Sequence, residues 1–296
     1  MRIAAIGLGS MGYGMAASAL KAGLIVHGFD VNADAVARFQ GEGGQPGALA
    51  EVAPTIGAAM VVVLNAAQTE SVLFGDDALV PKMAKGAVVI ACATVPPEFA
   101  REMAARCAEH GVLYLDAPIS GGSLRAADGD LTIMAAGSDE AFAAAGPALE
   151  ATASNVYNMG SEIGAGSAMK AVHQVLAGVN IVTMAEAMTF GMSQGISPEK
   201  FMEIVPNCGG TSWMLENRGP HIVEGDYTPH STVDIWLKDL GIVLDIAKNA
   251  KFGVPITAAA LQQYVAASGM GHGLEDDAAV AKVYARHAGL TLPGEG

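Results

Sequence analysis

Five short apolar runs rich in β-branched residues, at 2–6, 24–29, 60–64, 87–92 and 113–116, recur along the first half of the chain. Between them apolar positions fall at helical spacing, so strands alternate with helices. That alternation predicts a parallel, doubly wound sheet with helices on both faces. The pattern breaks near Met159-Gly160 and again at Ile163-Gly164-Ala165-Gly166, after which a helical segment runs to about residue 194. About 30 residues at ~1.5 Å each give ~45 Å, longer than an ordinary globular helix, and a helix of that length bridges two domains. Beyond it, Ser197-Pro198-Glu199 reads as a cap with proline at the first helical position. Helical patterns follow at 200–205, 237–249, 256–268 and 276–288, without a convincing strand. The expected class is α/β: an N-terminal doubly wound domain over 1–161 and an all-α domain over 162–296 for substrate and self-association, joined by the long helix.

Composition narrows this picture. Hydrophobic residues make up 51% and charged residues 16% of the 296, the profile of a packed chain rather than a disordered one. The most apolar stretches, 58–67 and 175–190, are short or interrupted by Asn180, Thr183 and Glu186, so no membrane span is expected. Met1-Arg2 leads straight into the first strand with no signal-peptide pattern, which points to the cytoplasm. Cys92, Cys107 and Cys208 form no CxxC, so reduced, buried thiols are expected rather than a disulfide scaffold. A net charge of −14 with no basic run excludes a nucleic-acid partner. It does not exclude an anionic small molecule, because a local cluster of N–H groups and one lysine can override a distant field.

Gly7-Leu8-Gly9-Ser10-Met11-Gly12 directly follows the first strand and opens a helix, the context a dinucleotide-binding fingerprint requires. Gly7 allows the tight turn, Gly9 lets the backbone approach a pyrophosphate, and Gly12 permits close helix packing. With 37 glycines in the chain, position rather than pattern makes the match meaningful. The second strand ends in Gly28-Phe29-Asp30-Val31-Asn32, placing a carboxylate 18 residues after Gly12 (30 − 12). Asp30 can accept hydrogen bonds from both ribose hydroxyls but would repel a 2′-phosphate, and no basic residue follows before Arg38. The N-terminal domain therefore reads as Rossmann-type, with NAD preferred over NADP.

Two further stretches carry candidate chemistry. Asp116-Ala117-Pro118-Ile119-Ser120-Gly121-Gly122 ends a strand, and its consecutive N–H groups can face one anion. The residues alone leave a simple turn equally open. Lys170, His173 and Gln174 project from one face of the long helix, and the face continues as Ala177 and Gly178, which leave room for a ligand or a close helix. A helical lysine by itself is ordinarily solvated surface.

Taken together, these motifs resemble the β-hydroxyacid dehydrogenase family, which includes 3-hydroxyisobutyrate dehydrogenases and tartronate semialdehyde reductases. The resemblance covers the whole chain in four ordered motifs: Gly7 to Gly12, Asp116 to Gly122, Gly164-Ala165-Gly166 leading to Lys170, and Lys238-Asp239-Leu240. It implies that Lys170 is the acid/base, that Ser120, Gly121 and Gly122 hold substrate, and that Lys238 lies near cofactor and substrate. Asn65 and Thr94 match further cofactor positions, and Val31 accompanies Asp30. Many family members carry asparagines three and four places after the lysine, where this chain has His173-Gln174. That pair, with Val63-Leu64-Asn65-Ala66-Ala67-Gln68-Thr69-Glu70, resembles the L-threonate dehydrogenase branch, which acts on four-carbon sugar acids. Longer polar side chains can hydrogen-bond additional hydroxyls. The resemblance also implies a homodimer or homotetramer.

The implied chemistry is oxidation of a small hydroxy acid by NAD, with neutral Lys170 taking the hydroxyl proton. Burial and the cationic nicotinamide would lower the Lys170 pKa from ~10.4 toward the working range. His173 is a rival base, although substrate orientation is the role expected of it. Imine reductases share the fold but lack a lysine at this position, and a non-catalytic NAD-binding regulator would need neither Lys170 nor the Ser120 loop. Arg125 and Arg218 stand alone, which argues against a phosphorylated substrate. Trp213 and Trp236 are expected to be buried packing residues. No histidine spacing suggests a metal site.

Overall fold

A computed structural model describes residues 1–295. The chain divides into two compact units, Met1–Lys170 and Ala171–Gly296. The N-terminal unit runs β1 (Arg2–Ile6), α1 (Ser10–Lys21), β2 (Ile25–Phe29), α2 (Ala33–Gly41), α3 (Leu49–Val52), β3 (Ala58–Val61), α4 (Ala66–Phe74), β4 (Val88–Ala91), α5 (Pro97–Glu109) and β5 (Leu113–Asp116). It continues with β6 (Ile119–Ser120), α6 (Gly122–Asp128), β7 (Leu131–Ala135), α7 (Asp139–Thr152) and β8 (Ala153–Asn158).

Strands β1 to β5 form a wholly parallel sheet in the order β2-β1-β3-β4-β5. The strand order reverses between β1 and β3, and ligands of such sheets bind outside the carboxyl ends at that reversal. Side chains alternate between two buried layers. Ile3, Ala5, Met60, Val88 and Ile90 pack with Met15, Phe39 and Leu149, whereas Ala4, Ile6, Ala59, Val61 and Val89 pack with Leu73, Met103 and Cys107. Burial of both faces is why these strands read as unbroken apolar runs. The run expected at 60–64 is strand only over Ala58–Val61, because Ala58 and Ala59 are fully buried in the sheet whereas Leu64 is 51% exposed beyond it.

A second sheet, β6-β7-β8, follows, with β6 antiparallel and β7 parallel to its neighbour β8 (Ile119↔Ile133, Met134↔Tyr157). The apolar pattern does not predict it. Strand β8 is mostly exposed and carries Ser154, Asn155 and Asn158, so it has no buried face to create a period.

Helix α8 (Ala165–Ser193) crosses the division, and the C-terminal unit adds α9 (Pro198–Ile204), α10 (Trp213–Glu224), α11 (Val233–Asn249), α12 (Pro255–Ala267) and α13 (Ala281–Ala288). Among its described residues the only β pairing is an isolated bridge between Thr232 and Asp276. Gly219-Pro220 hides α10 from the sequence pattern, since both residues ordinarily stop a helix; Ser212 starts it, its Oγ accepting from Leu215 N at 3.0 Å. By length and mean hydropathy α8 would pass for a membrane span, its interrupting polar residues notwithstanding. Half of its most apolar window is buried inside the protein, where Ile181, Met184, Ala185 and Met188 join Trp236, Leu240 and Tyr264 in the core.

Cys92 and Cys107 are buried free thiols, pushed up to about 12 by burial, but Cys208 is exposed. Trp236 is buried as expected, whereas Trp213, at the exposed start of α10, is 53% exposed.

Candidate active site

The turn after β1 is built for close approach of a ligand. Gly7 has φ +93°, and a Cβ there would overlap the Val62 carbonyl; a Cβ on Gly12 would overlap the Gly7 carbonyl. Gly9, between them, faces open space. Asp30 ties the tips of β1 and β2, accepting from Leu8 N at 2.6 Å through Oδ2 and from Asn32 N at 2.8 Å through Oδ1. A cavity of about 500 Å³ opens here, lined by Leu8, Gly9, Ser10, Tyr13, Asn32 and Arg38 among others. The Arg38 guanidinium lies 4.0 Å from the centre of the Tyr13 ring. These residues fit a dinucleotide. The open backbone at Gly9 precedes the N–H groups of α1, which suit a pyrophosphate, and each Asp30 oxygen retains a lone pair for a ribose hydroxyl.

The other cofactor residues expected in this unit, Met11, Val31, Asn65 and Thr94, lie just beyond the carboxyl ends of β1, β2, β3 and β4. Met11 is half-buried in the first turn of α1, and Val31 is fully exposed next to Asp30. Asn65 follows β3 and caps α4: its Oδ1 accepts from Gln68 N at 2.9 Å, while Gln68 Oε1 accepts from Leu64 N at 2.8 Å. Thr94 is half-buried between β4 and α5.

Ser120 ends β6, and Gly121 and Gly122 follow with φ of +139° and +80°, conformations that L side chains rarely adopt. A Cβ on Gly122 would meet nothing within 4 Å, so this backbone is open to a ligand. At the end of β5, Asp116 is 1% exposed and accepts from Gly164 N (3.0 Å), Ser167 N (2.9 Å) and Ser167 Oγ (2.6 Å). Burial raises its pKa, and the hydrogen bonds from Ser167 and Gly164 oppose that rise. A strand-end carboxylate thus caps the start of α8. Gly166 is required there, since its Cβ would run into the Met134 and Asp116 carbonyls. Lys170, one turn beyond Ser167, is only 7% exposed, so the solvated-surface reading does not hold.

In the C-terminal unit His173 and Gln174 join a polar chain. His173 Nδ1 lies 2.8 Å from Gln174 Oε1, Gln174 Nε2 donates to Asp239 Oδ2 at 2.5 Å, and Lys238 Nζ lies 2.9 Å from Asp239 Oδ1. One turn along α8, a Cβ on Gly178 would come within 2.8 Å of the Trp236 ring, and the Tyr264 hydroxyl donates to the Gly178 carbonyl at 2.9 Å. The small residues after Gln174 therefore accommodate a close helix, α11. Arg218 is buried and donates to Asp277 at 2.6 Å, and Arg125 donates to Asp130 at 2.9 Å, so both are committed to carboxylates. Among the described residues no group of three or more His, Cys, Asp or Glu is placed to hold a metal ion.

Sequence reasoning missed Asp116 and Asp239 as individual contributors. Both lie inside quoted motifs, but their partners are 48 to 51 and 65 residues away.

The NAD-binding domain model of 6-phosphogluconate dehydrogenase matches residues 2–160, and the NAD-binding model of NADP-dependent 3-hydroxyisobutyrate dehydrogenase matches 164–284. The chain belongs to the β-hydroxyacid dehydrogenase family. Within that family it is 48% identical over 294 residues to an L-threonate dehydrogenase of Cupriavidus necator, covering 99% of this chain and 98% of the relative. An L-threonate dehydrogenase of Escherichia coli is 45% identical, covering 98% and 95%. A crystal structure described as 3-hydroxyisobutyrate dehydrogenase from Salmonella typhimurium superposes with a TM-score of 0.91 at 44% identity, covering 96% of this chain and 99% of that one. As a β-hydroxyacid dehydrogenase, this chain is an NAD-dependent oxidoreductase acting on the CH–OH group of a hydroxy acid. The Rossmann-type N-terminal domain and helical C-terminal domain are those of the family.

Proposed function

We propose that the substrate is a four-carbon sugar acid of the L-threonate type and that Lys170 is the general base. The observation that carries this reading is the burial of Lys170 one helical turn before a His173–Gln174 pair held in place by Asp239. Bound NAD supplies the hydride acceptor. Lys170 Nζ takes the proton of the reacting hydroxyl, a step for which a buried amine on a helix is held in place. Ser120 and the backbone of Gly121 and Gly122 hold the substrate carboxylate, while His173 and Gln174 hydrogen-bond the hydroxyls that a simpler hydroxy acid lacks. Lys238 balances negative charge near cofactor and substrate. The relatives named L-threonate dehydrogenase support the same substrate.

Asp30 favours NAD over NADP, because a 2′-phosphate would meet a carboxylate whose oxygens already accept two N–H groups. Asn65, Thr94, Val31 and the residues from Gly7 to Gly12 complete the cofactor contacts. Val172, Leu176 and Phe190 lie exposed on one stripe of α8, which supports a homodimer or homotetramer.

The test is NADH or NADPH formation with L-threonate, D-threonate, D-glycerate, 3-hydroxyisobutyrate and L-serine. Turnover of L-threonate with NAD is the expected result; turnover of 3-hydroxyisobutyrate alone would discard the sugar-acid reading and keep Lys170. Lys170→Ala is expected to lose about 10²- to 10⁴-fold in kcat while still binding NAD by fluorescence titration.

A further inference from the structure

The two faces of a primary amide are not interchangeable: one accepts hydrogen bonds and the other donates them. Asp239 is 4% exposed, and an ionised carboxylate only accepts, so the Gln174 side chain must turn its NH₂ toward Asp239 Oδ2, 2.5 Å away. The opposite end of that amide, Oε1, then faces His173 Nδ1 at 2.8 Å and can only accept. Nδ1 must therefore carry the proton of the neutral ring, which makes Nε2 its acceptor. Lys238 Nζ, 2.9 Å from the other Asp239 oxygen, holds the carboxylate in register, and Gly178 lets α11 approach closely enough to deliver it.

We propose that Asp239 is a positioning residue that acts through the Gln174 amide to fix His173 in its Nδ1–H tautomer, so that Nε2 accepts a hydrogen bond from a substrate hydroxyl. The substrate half of this inference rests on the sugar-acid reading; the tautomer half does not. A ring nitrogen that accepts selects a hydroxyl donor and disfavours a second carboxylate. Donation from the same atom would reverse that preference, because it would suit an oxygen that cannot donate in return. Specificity in this arrangement lies in a proton position set by a residue 65 positions away in the chain.

The deciding experiment is a long-range ¹H–¹⁵N correlation spectrum of the full-length protein labelled with ¹⁵N-histidine, at a pH where the ring is neutral, with His173 identified by its loss in His173→Gln. The expected wild-type spectrum shows His173 protonated on Nδ1 and bare of hydrogen on Nε2. Asp239→Asn, which can offer Gln174 either a donor or an acceptor, is expected to move His173 toward the other tautomer. Gln174→Met, which breaks the chain at its middle and leaves Asp239 beside Lys238, is expected to do the same. A wild-type His173 carrying its proton on Nε2 would overturn the proposal without any variant, as would an unchanged tautomer in both variants. In kinetics, Asp239→Asn is expected to raise KM for L-threonate about tenfold, with a smaller change for 3-hydroxyisobutyrate, which has one hydroxyl. Equal losses for both substrates would overturn the specificity role. The expected tautomer without turnover of L-threonate would leave the relay standing and remove only the sugar-acid reading.

Discussion

Single carboxylates organise this protein from a distance. Asp116 closes a strand and at the same time accepts three hydrogen bonds, one from Gly164 just before the helix that carries Lys170 and two from Ser167 in its first turn. Removing it leaves buried donors unsatisfied, at about 1–3 kcal/mol each before relaxation. Asp116→Ala is therefore expected to destabilise the protein by about 3 kcal/mol in urea unfolding, a larger loss than an ordinary helix cap causes. Lys170, His173 and Gln174 were legible because a helix places residues three and four apart on one face. Asp116 and Asp239 were not, because their partners are brought to them by tertiary packing that no local spacing encodes.

Helix α8 provides a test of packing at the scale of the element. At Gly178 an added methyl meets the Trp236 ring and Leu240 at 2.8 to 3.0 Å, whereas at Gly191 its nearest neighbour is 3.7 Å away. Alanine is the better helix former by about 1 kcal/mol at either position. Gly191→Ala is thus expected to stabilise by about 0.5–1 kcal/mol, and Gly178→Ala to destabilise by a similar amount, since overpacking costs about 1–3 kcal/mol. Chemical denaturation of the two variants reads the opposite signs directly.

Helix α10 is tied down by charge. His221 Nδ1 lies 2.9 Å from the buried Asp276, and this hydrogen bond raises the imidazole pKa against the effect of burial. A raised histidine pKa stabilises fully below the ordinary value of ~6.5, and the gain is lost as pH rises through the folded value. Asp277, pushed up to about 6 by burial despite Arg218, contributes a decline of the same sign at lower pH, and the raised Cys92 and Cys107 thiols contribute one above about pH 8, so the window between them belongs to His221. Unfolding free energies measured from pH 6.5 to 8 are expected to fall in the wild type and to flatten in His221→Gln. The five parallel strands could be read from the sequence because burial on both faces leaves an unbroken apolar signature, and α8 because it stays apolar over 29 residues, its exposed stripe included. The exposed strand β8 and the proline-containing α10 carry no such signature, and their stability comes from neighbours instead.

Over the whole molecule, a charge of −14 acts against an anionic substrate and an anionic cofactor alike. Salt shortens the reach of that field from about 30 Å at ~0.01 M to about 8 Å at ~0.15 M. KM for the hydroxy acid is therefore expected to fall as ionic strength rises across that range at constant pH. A KM that rises instead would show that the local cationic and N–H groups outweigh the net charge.

Because α8 begins at Ala165 and continues through the division at Lys170 without interruption, the boundary of compactness is not the boundary for recombination. A chimera joined at 170/171 would splice two unrelated halves of one helix and separate the proposed base from the residues proposed to choose its substrate. A joint between Gly160 and Gly164, both in positive-φ turns, lets Asp116 from one parent meet an intact α8 from the other. Cofactor preference and substrate preference then become separately inheritable modules, with Lys170 travelling alongside His173 and Gln174 in the second.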